Sequence, residues 1–254
     1  MKKWLLLGLV LVALISGIAW GPVTHYYIAQ ETATRLRITD PALLAAFRAG
    51  AIMPDSYLAV YPWRIEQDMF HAEVYIKTME ALAKTLEERA FILGYRTHPI
   101  GDAIEGPYTT GKPDLGLAPE FIIDALVGQE YDLAGARIVA SPAVQTLMIK
   151  AWYIAYPTHP WKPDIAFLNK AVSYFNTWLG LLTRDGVEID PVAVRVYAGW
   201  EGYVQQSIDK SVETIKVAPT PTPTRRPQPT LRLPPNLPDW VKKYIQDRWP
   251  GVIK

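Results

Sequence analysis

Four histidines and several carboxylates are the residues of this chain best suited to bind a metal ion. The 254-residue sequence has no cysteine, so a metal site must be built from imidazole, carboxylate or backbone groups. His98 and Asp102 lie four positions apart, a spacing that puts both side chains on one face of a helix. Asp55 and His71 precede them, and His25 lies near the start of the chain. Together these residues predict a metal site without thiolate ligands.

Two observations weigh against the simplest form of this prediction. A single histidine on a helix is more often an ordinary core or surface residue than a ligand. Pro99 directly follows His98, and proline removes a helical N–H and disfavours helical angles in the residue before it. The sequence therefore predicts a kink or a new helix start between His98 and Asp102. His159 lies in a proline-rich turn, which predicts a loop residue without a ligand role.

The first nineteen residues have the pattern of a secretory signal peptide. Two lysines precede an apolar stretch that ends in Gly17-Ile18-Ala19, with small residues one and three places before the expected cut. We therefore predict a signal peptide over residues 1–19 and a secreted or extracellular protein. Cleavage there gives Trp20 a free α-amine, which can chelate a cation together with the carbonyl oxygen of the same residue.

The composition changes abruptly near residue 217. Eight prolines fall between residues 219 and 238, and such a segment is typical of an extended spacer. We predict a folded domain over 20–216, a proline- and threonine-rich linker over 217–238, and a short amphipathic C-terminal helix over 239–254.

Charge is distributed unevenly between the domain and the tail. Residues 219–254 contain seven basic and two acidic residues, a net charge of +5, whereas residues 20–218 contain 17 basic and 23 acidic residues, a net charge of −6. A basic amphipathic helix can lie on an anionic membrane surface and hold the protein there. The alternative is that the basic tail docks on the acidic domain, because a helix this short is marginal without a surface to fold on. Both interpretations stay open at the level of the sequence.

The apolar residues of the domain recur mostly at helical spacing, which predicts an all-α fold of a single multi-helix domain. The longest irregular stretch is predicted at 103–118, where glycine and proline are frequent. Helices are predicted near 23–37, 41–50, 66–97, 119–128, 142–156, 162–184 and 190–216.

Four short stretches between residues 20 and 108 combine into a specific set of motifs. They are Trp20-Gly-Pro-Val-Thr-His25, Ala49-Gly50-Ala51-Ile52-Met53-Pro54-Asp55, Phe70-His71 and Gly94-Tyr95-Arg96-Thr97-His98-Pro-Ile-Gly101-Asp102. This set resembles the zinc-dependent phospholipase C family and its relatives, the fungal single-strand-specific nucleases. The resemblance implies an all-α secreted hydrolase that holds zinc ions in a cleft and cleaves phosphate esters.

The resemblance also implies a role for each of six residues. The amine and carbonyl of Trp20 would hold one zinc ion with His25 and Asp102. Asp102 would bridge to a second zinc ion held by Asp55, His71 and His98. Asp55 would also be the catalytic residue that accepts a proton from the attacking water.

The chain departs from the family where a third zinc ion would bind. Six residues after the bridging aspartate the family has histidine, and this chain has Tyr108. The nearest match to the remaining third-site ligands is Glu120 and Asp124, but acidic residues in a first helical turn are stabilised by the helix dipole without any metal. The resemblance therefore implies two zinc ions and leaves the third in doubt.

The function predicted from these observations is hydrolysis of a phosphodiester, with a phospholipid or a small phosphoester as substrate. Nucleic acid is a less favoured substrate, since a domain of net charge −6 repels a polyanion. A single-strand nuclease remains an alternative. A further alternative is a non-catalytic or weakly active relative that keeps two zinc ions and acts as a binding module.

Overall fold

The computed structural model describes residues 20–57, 66–112, 119–133, 135–183 and 189–217. These residues form ten α-helices and one short 3-10 helix, with no strand among them, which confirms the all-α prediction. The helices are α1 (Pro22–Arg35), α2 (Pro41–Ile52), the 3-10 helix (Met53–Tyr57), α3 (Glu66–His71), α4 (Glu73–Leu82), α5 (Leu86–Thr109), α6 (Pro119–Glu130), α7 (Pro142–Ala155), α8 (Ile165–Leu182), α9 (Pro191–Val196) and α10 (Trp200–Val217).

Several helix starts follow directly from the sequence. Asp40, Ser141 and Asp190 each cap a helix through a side-chain oxygen, and a proline follows each of them in the first turn. Such an oxygen accepts a backbone N–H that has no partner inside the helix, and proline at this position removes one such N–H. These caps place the starts of α2, α7 and α9.

The single helix predicted over 66–97 is wrong, because the structure divides this stretch among α3, α4 and α5. Ala72 and Ala83 have extended backbone angles that separate the three helices. Thr85 then starts α5 through a capping box, in which its hydroxyl accepts from the N–H of Glu88 and the Glu88 carboxylate accepts from the N–H of Thr85. This pairing is a recognised start signal.

The predicted new helix start after His98 is also wrong, and so is the irregular stretch over residues 103–109. Helix α5 continues through Pro99 and Pro107 to Thr109. It packs against α2 at very short range, since a Cβ atom on Gly50 would lie 2.0 Å from the carbonyl oxygen of Phe91. We infer that this packing outweighs the loss of one backbone hydrogen bond at each proline.

The core of the domain is built from large aromatic side chains. Trp20, Phe70, Tyr75, Tyr95 and Trp152 are among the largest side chains that are fully buried. No helix in the described part of the chain is both long enough and apolar enough to cross a bilayer.

Three sequence predictions fall outside the described residues. They are the signal peptide over 1–19, the linker beyond Val217 and the C-terminal helix over 239–254. The remainder of the predicted irregular stretch, 113–118, is outside them as well. All described residues belong to the first of the two units into which the chain divides, Met1–Val217 and Ala218–Lys254.

Candidate metal centre

Helices α1, α3 and α5 and the 3-10 helix bring five predicted ligands together. His25 comes from α1, Asp55 from the 3-10 helix, His71 from the last position of α3, and His98 and Asp102 from α5. Two groups of three have the spacing of a metal site, His25 with His98 and Asp102, and Asp55 with His71 and His98. Within each group one ligand atom per residue lies within 4.8 Å of the others.

The imidazole rings of His71 and His98 approach each other through their Nε2 atoms. Their Nε2 atoms are 2.9 Å apart. The Nδ1 atom of His71 lies 2.9 Å from the carbonyl oxygen of Gln67, and Nδ1 of His98 lies 2.7 Å from the carbonyl oxygen of Ala51. A carbonyl only accepts, so each Nδ1 donates a proton to its carbonyl, and Nε2 is the atom of each ring that remains to bind. Two Nε2 lone pairs this close repel unless a proton or a metal cation lies between or beside them, so the pair can hold either.

Asp102 is placed to serve both groups. One oxygen, Oδ1, is 3.1 Å from Nε2 of His25, and the other, Oδ2, is 3.3 Å from Nε2 of His98 and 3.8 Å from Nε2 of His71. His98 belongs to both groups by distance, but its Nδ1 atom is engaged, so only Nε2 can bind. A carboxylate with two free directions can therefore contact two cations, whereas His98 can contact one.

The start of the domain reaches the same cluster. Trp20 is only 1% exposed, and its backbone lies close enough to His25 and Asp102 to influence the pKa of both side chains. No hydrogen bond of good geometry satisfies either ring nitrogen of His25 or the Oδ1 atom of Asp102, although all three atoms are buried. Buried polar atoms without partners are costly, and a cation bound between them would satisfy them.

The pKa values of the two carboxylates in the cluster are shifted in opposite directions. Burial acts to raise the pKa of Asp55, but His98 and His71 outweigh it and hold this pKa well below its usual range. Burial raises the pKa of Asp102 to about 6, with the charge of Asp55 adding to the effect. For His71, burial acts to lower the pKa, but hydrogen bonding to Asp55 raises it to about 9. Asp55 is thus the carboxylate that stays ionised most readily.

Helix α3, which carries His71, has only six residues and depends on tertiary contacts, because such short helices are marginal alone. The hydroxyl of Tyr156 donates to the carbonyl of Met69 at 2.7 Å, and that of Tyr95 donates to the carbonyl of Phe70 at 2.8 Å. These bonds satisfy two carbonyls that have no partner inside the helix. They fix the end of the helix where His71 lies.

Asp124, a predicted third-site residue, instead caps the helix that carries His25. Its two oxygens accept from the N–H of Val23 at 3.0 Å, from the N–H and hydroxyl of Thr24 at 2.8 and 2.7 Å, and from the indole of Trp178 at 3.1 Å. A Cβ atom on Gly21 would lie 2.3 Å from this carboxylate, so glycine is required there. Burial raises the pKa of Asp124 to about 6, and these donors oppose the effect.

The other two predicted third-site residues also lie outside the two metal groups. Tyr108 is nearly buried, and its hydroxyl donates to the carbonyl of Tyr197 at 2.5 Å. Glu120 is buried at the start of α6. Within the described residues, neither Glu120 nor Asp124 joins a group of histidines and carboxylates with metal-site spacing.

His159 lies in the turn between α7 and α8, as its sequence context predicts. Its Nδ1 atom is 3.1 Å from the carbonyl oxygen of Trp161, and its Nε2 atom is 3.7 Å from the carboxylate of Glu66. It belongs to neither metal group.

Two residues near the centre carry no signal in the sequence that singles them out. Gln67 donates to Asp55 at 2.8 Å. Glu105, three residues beyond Asp102 on α5, is fully buried, and neither of its carboxylate oxygens has a hydrogen-bond partner. Only the continuous course of α5 through Pro99 shows that Glu105 lies on the buried side of this helix.

No family model, curated protein or solved structure matches this chain. The geometry of the cluster is therefore the basis for the functional argument.

Proposed function

We propose that this protein is a zinc-dependent phosphoric-ester hydrolase that acts in the manner of a phospholipase C. The observation that carries the proposal is the convergence of Nε2 of His71 and Nε2 of His98 at 2.9 Å, beside the buried carboxylate of Asp55 and the partly exposed carboxylate of Asp102. A ligand set of imidazole and carboxylate without thiolate suits zinc in a catalytic site.

The residues divide naturally between two cations. Asp55, His71 and His98 would hold one ion, together with Oδ2 of Asp102. The backbone of Trp20 and the ring of His25 would hold the other, together with Oδ1 of Asp102. In this division each oxygen of Asp102 would contact a different ion, and His98 would contact only one ion, through Nε2.

When bound, a pair of zinc ions polarises a phosphoryl oxygen and makes water a nucleophile at neutral pH. Asp55 is the proton acceptor that we propose for that water, because its contacts with Gln67, His71 and His98 all involve Oδ1, and no described hydrogen bond or ion pair engages its Oδ2 atom. Asp102 is the less suitable proton acceptor, since both of its oxygens face histidine rings.

The charge of the domain favours a small or membrane-held phosphodiester over a nucleic acid. Residues 20–218 carry a net charge of −6, which disfavours a polyanion. A phospholipid head group presents a single phosphodiester and is the substrate class that we propose, in the extracellular setting that the predicted signal peptide implies.

One observation favours a second candidate, a relative that binds two metal ions but has lost catalysis. The hydroxyl of Tyr108 is committed to the carbonyl of Tyr197, and Asp124 is committed to capping α1. A third cation therefore finds no ligands at these two positions.

An activity assay distinguishes the two candidates. The protein that begins at Trp20 should hydrolyse a chromogenic phosphodiester or a choline phospholipid with zinc, and lose this activity when a chelator is added. Single-stranded DNA should be cleaved more slowly than either. Stoichiometric zinc binding without turnover of any of these three substrates would instead support the binding module.

A further inference from the structure

Gln67 contacts two of the residues that surround the proposed second cation. Its side-chain Nε2 atom donates to Oδ1 of Asp55 at 2.8 Å, and its backbone carbonyl accepts from Nδ1 of His71 at 2.9 Å. We propose that Gln67 is a positioning residue that fixes the orientation of both ligands. This inference rests on the proposed function, because it gives Gln67 a role only if a cation binds there.

The orientation of the Gln67 amide follows from its partner. A carboxylate accepts hydrogen bonds and does not donate them when ionised, so the NH₂ group must face Asp55. The other end of the amide, Oε1, is buried and has no hydrogen-bond partner. Leaving a buried amide oxygen without a partner costs free energy. The hydrogen bond from Nε2 to Asp55 must therefore stabilise this orientation of the amide against that cost.

The backbone contact determines which nitrogen of His71 is available. Gln67 and His71 lie four residues apart on α3, so the carbonyl of Gln67 reaches the ring of His71. The bond to Nδ1 keeps the proton on that atom and turns Nε2 toward His98. Partners of this kind fix the tautomer and the ring direction of a metal-binding histidine.

Gln67 also joins two separate elements. Asp55 belongs to the 3-10 helix and His71 to α3. The hydrogen bond from Gln67 to Asp55 ties the carboxylate ligand to the helix that supplies the imidazole ligand. A change in the Gln67 side chain should therefore alter the position of Asp55 while the contact between the Gln67 carbonyl and His71 remains.

The test compares leucine substitutions of two glutamines whose side-chain amides donate hydrogen bonds. Gln67→Leu removes the donor to Asp55 and keeps a residue that favours helix. Gln145→Leu is the matched control, because Gln145 is buried and donates to the carbonyl of Ala140 and to Asn169, away from the metal groups. Zinc affinity is measured on the protein that begins at Trp20 by competition with a chromophoric chelator. We expect Gln67→Leu to weaken the affinity for one zinc ion by about 10- to 100-fold, and Gln145→Leu to leave it unchanged.

Two further measurements separate positioning from loss of structure. Thermal melting without metal should be similar for the two variants. Nitrogen NMR of the imidazole rings should show the proton still on Nδ1 of His71 in Gln67→Leu, and the absorption spectrum of the cobalt-substituted protein should change in Gln67→Leu alone.

The outcomes distinguish this inference from the proposal on which it rests. A wild-type chain that binds no divalent cation would overturn the proposed function and the role of Gln67 with it. Wild-type zinc binding with equal affinity in Gln67→Leu would overturn the role of Gln67 alone. Equal weakening in Gln67→Leu and Gln145→Leu would also overturn it, because the effect would then be one of general stability.

Discussion

Asp102 is the residue on which both groups of ligands depend. Its Oδ1 atom faces His25 and its Oδ2 atom faces His98 and His71. We expect Asp102→Asn to lower the affinity for both zinc ions, because an amide has no charge and only one oxygen. His159→Ala is the control, since His159 lies in neither metal group. Elemental analysis after dialysis measures the effect, and equal zinc content in the two variants would contradict the bridging role.

Glu105 should make stability depend on pH. Burial raises the pKa of Glu105 from an ordinary 4.5 to about 7, so the ionised carboxylate costs free energy in the folded state. This cost begins above pH 4.5 and is complete above pH 7. We expect Glu105→Gln to raise the free energy of unfolding at pH 8 by about 2–3 kcal/mol and to change it little at pH 4.5.

Urea unfolding at the two pH values measures this difference. The exposed Glu130 supplies the control, since Glu130→Gln should change stability by less than about 0.5 kcal/mol at either pH. A gain in Glu105→Gln that is equal at pH 4.5 and pH 8 would show that an ionised Glu105 is not its cause.

A third prediction at this scale concerns the α-amine of Trp20. One additional residue before Trp20 turns this amine into an amide and removes the chelate that the resemblance implies. We expect the extended protein to bind about one zinc ion fewer per chain than the protein that begins at Trp20, and to melt at a lower temperature with zinc present. Unchanged zinc content would remove Trp20 from the proposed site.

The histidine and aspartate residues of the cluster could be predicted because they stand in the short motifs between residues 20 and 108. Gln67 could not be predicted, since a glutamine four residues before a histidine is common and gains a role only when Asp55 folds against it. The capping role of Asp124 could not be predicted either, because the N–H groups that donate to it belong to residues about a hundred positions away.

Among the elements, α1 depends most on a distant partner. Gly21, its N-cap residue, makes no side-chain cap, and Asp124 supplies the missing acceptors from α6. We expect Asp124→Ala to destabilise the fold and to weaken the zinc ion near His25, because four buried donors lose their partner and the start of α1 is released.

Asp40→Ala is the matched control for this cap. Asp40 caps α2 from an exposed position, so its loss should cost about 0.5–2 kcal/mol without changing zinc content. Urea unfolding and elemental analysis on both variants provide the comparison. Normal zinc content in a folded Asp124→Ala protein would show that α1 is positioned in another way.

A cap depends on residues within one turn of the helix start, whereas packing between helices depends on distant residues. The caps of Asp40, Ser141 and Asp190, each followed by proline, are local patterns of this kind. The continuity of α5 through Pro99 could not be predicted, because it depends on the close approach of α2 at Gly50 and Gly94, and neither glycine has an evident partner in the sequence.

At the scale of the whole molecule, the separation of charge between residues 20–218 and the tail is a property of sequence alone. If the tail lies on a membrane rather than docking on the domain, the protein that begins at Trp20 should sediment with anionic vesicles at low salt and be released at moderate salt, because salt screens the +5 charge of residues 219–254. A chain truncated after Val217 should stay in solution.

Substitution of Lys242 and Lys243 by glutamine tests whether charge is the cause. This variant should bind vesicles more weakly than the full chain and more strongly than the truncated one. Equal sedimentation of full-length and truncated protein would exclude a membrane role for the tail.

If the predicted signal peptide is cut before Trp20, the burial of Trp20 constrains when that cut occurs. A peptidase must bind an extended and accessible chain around the bond that it cuts. Trp20 is 1% exposed in the folded domain, and its indole donates to Ser207 of α10. The predicted cut would therefore have to precede the packing of α10 against Trp20. A precursor that folded first should resist the peptidase and would keep an amide at Trp20 in place of the free α-amine.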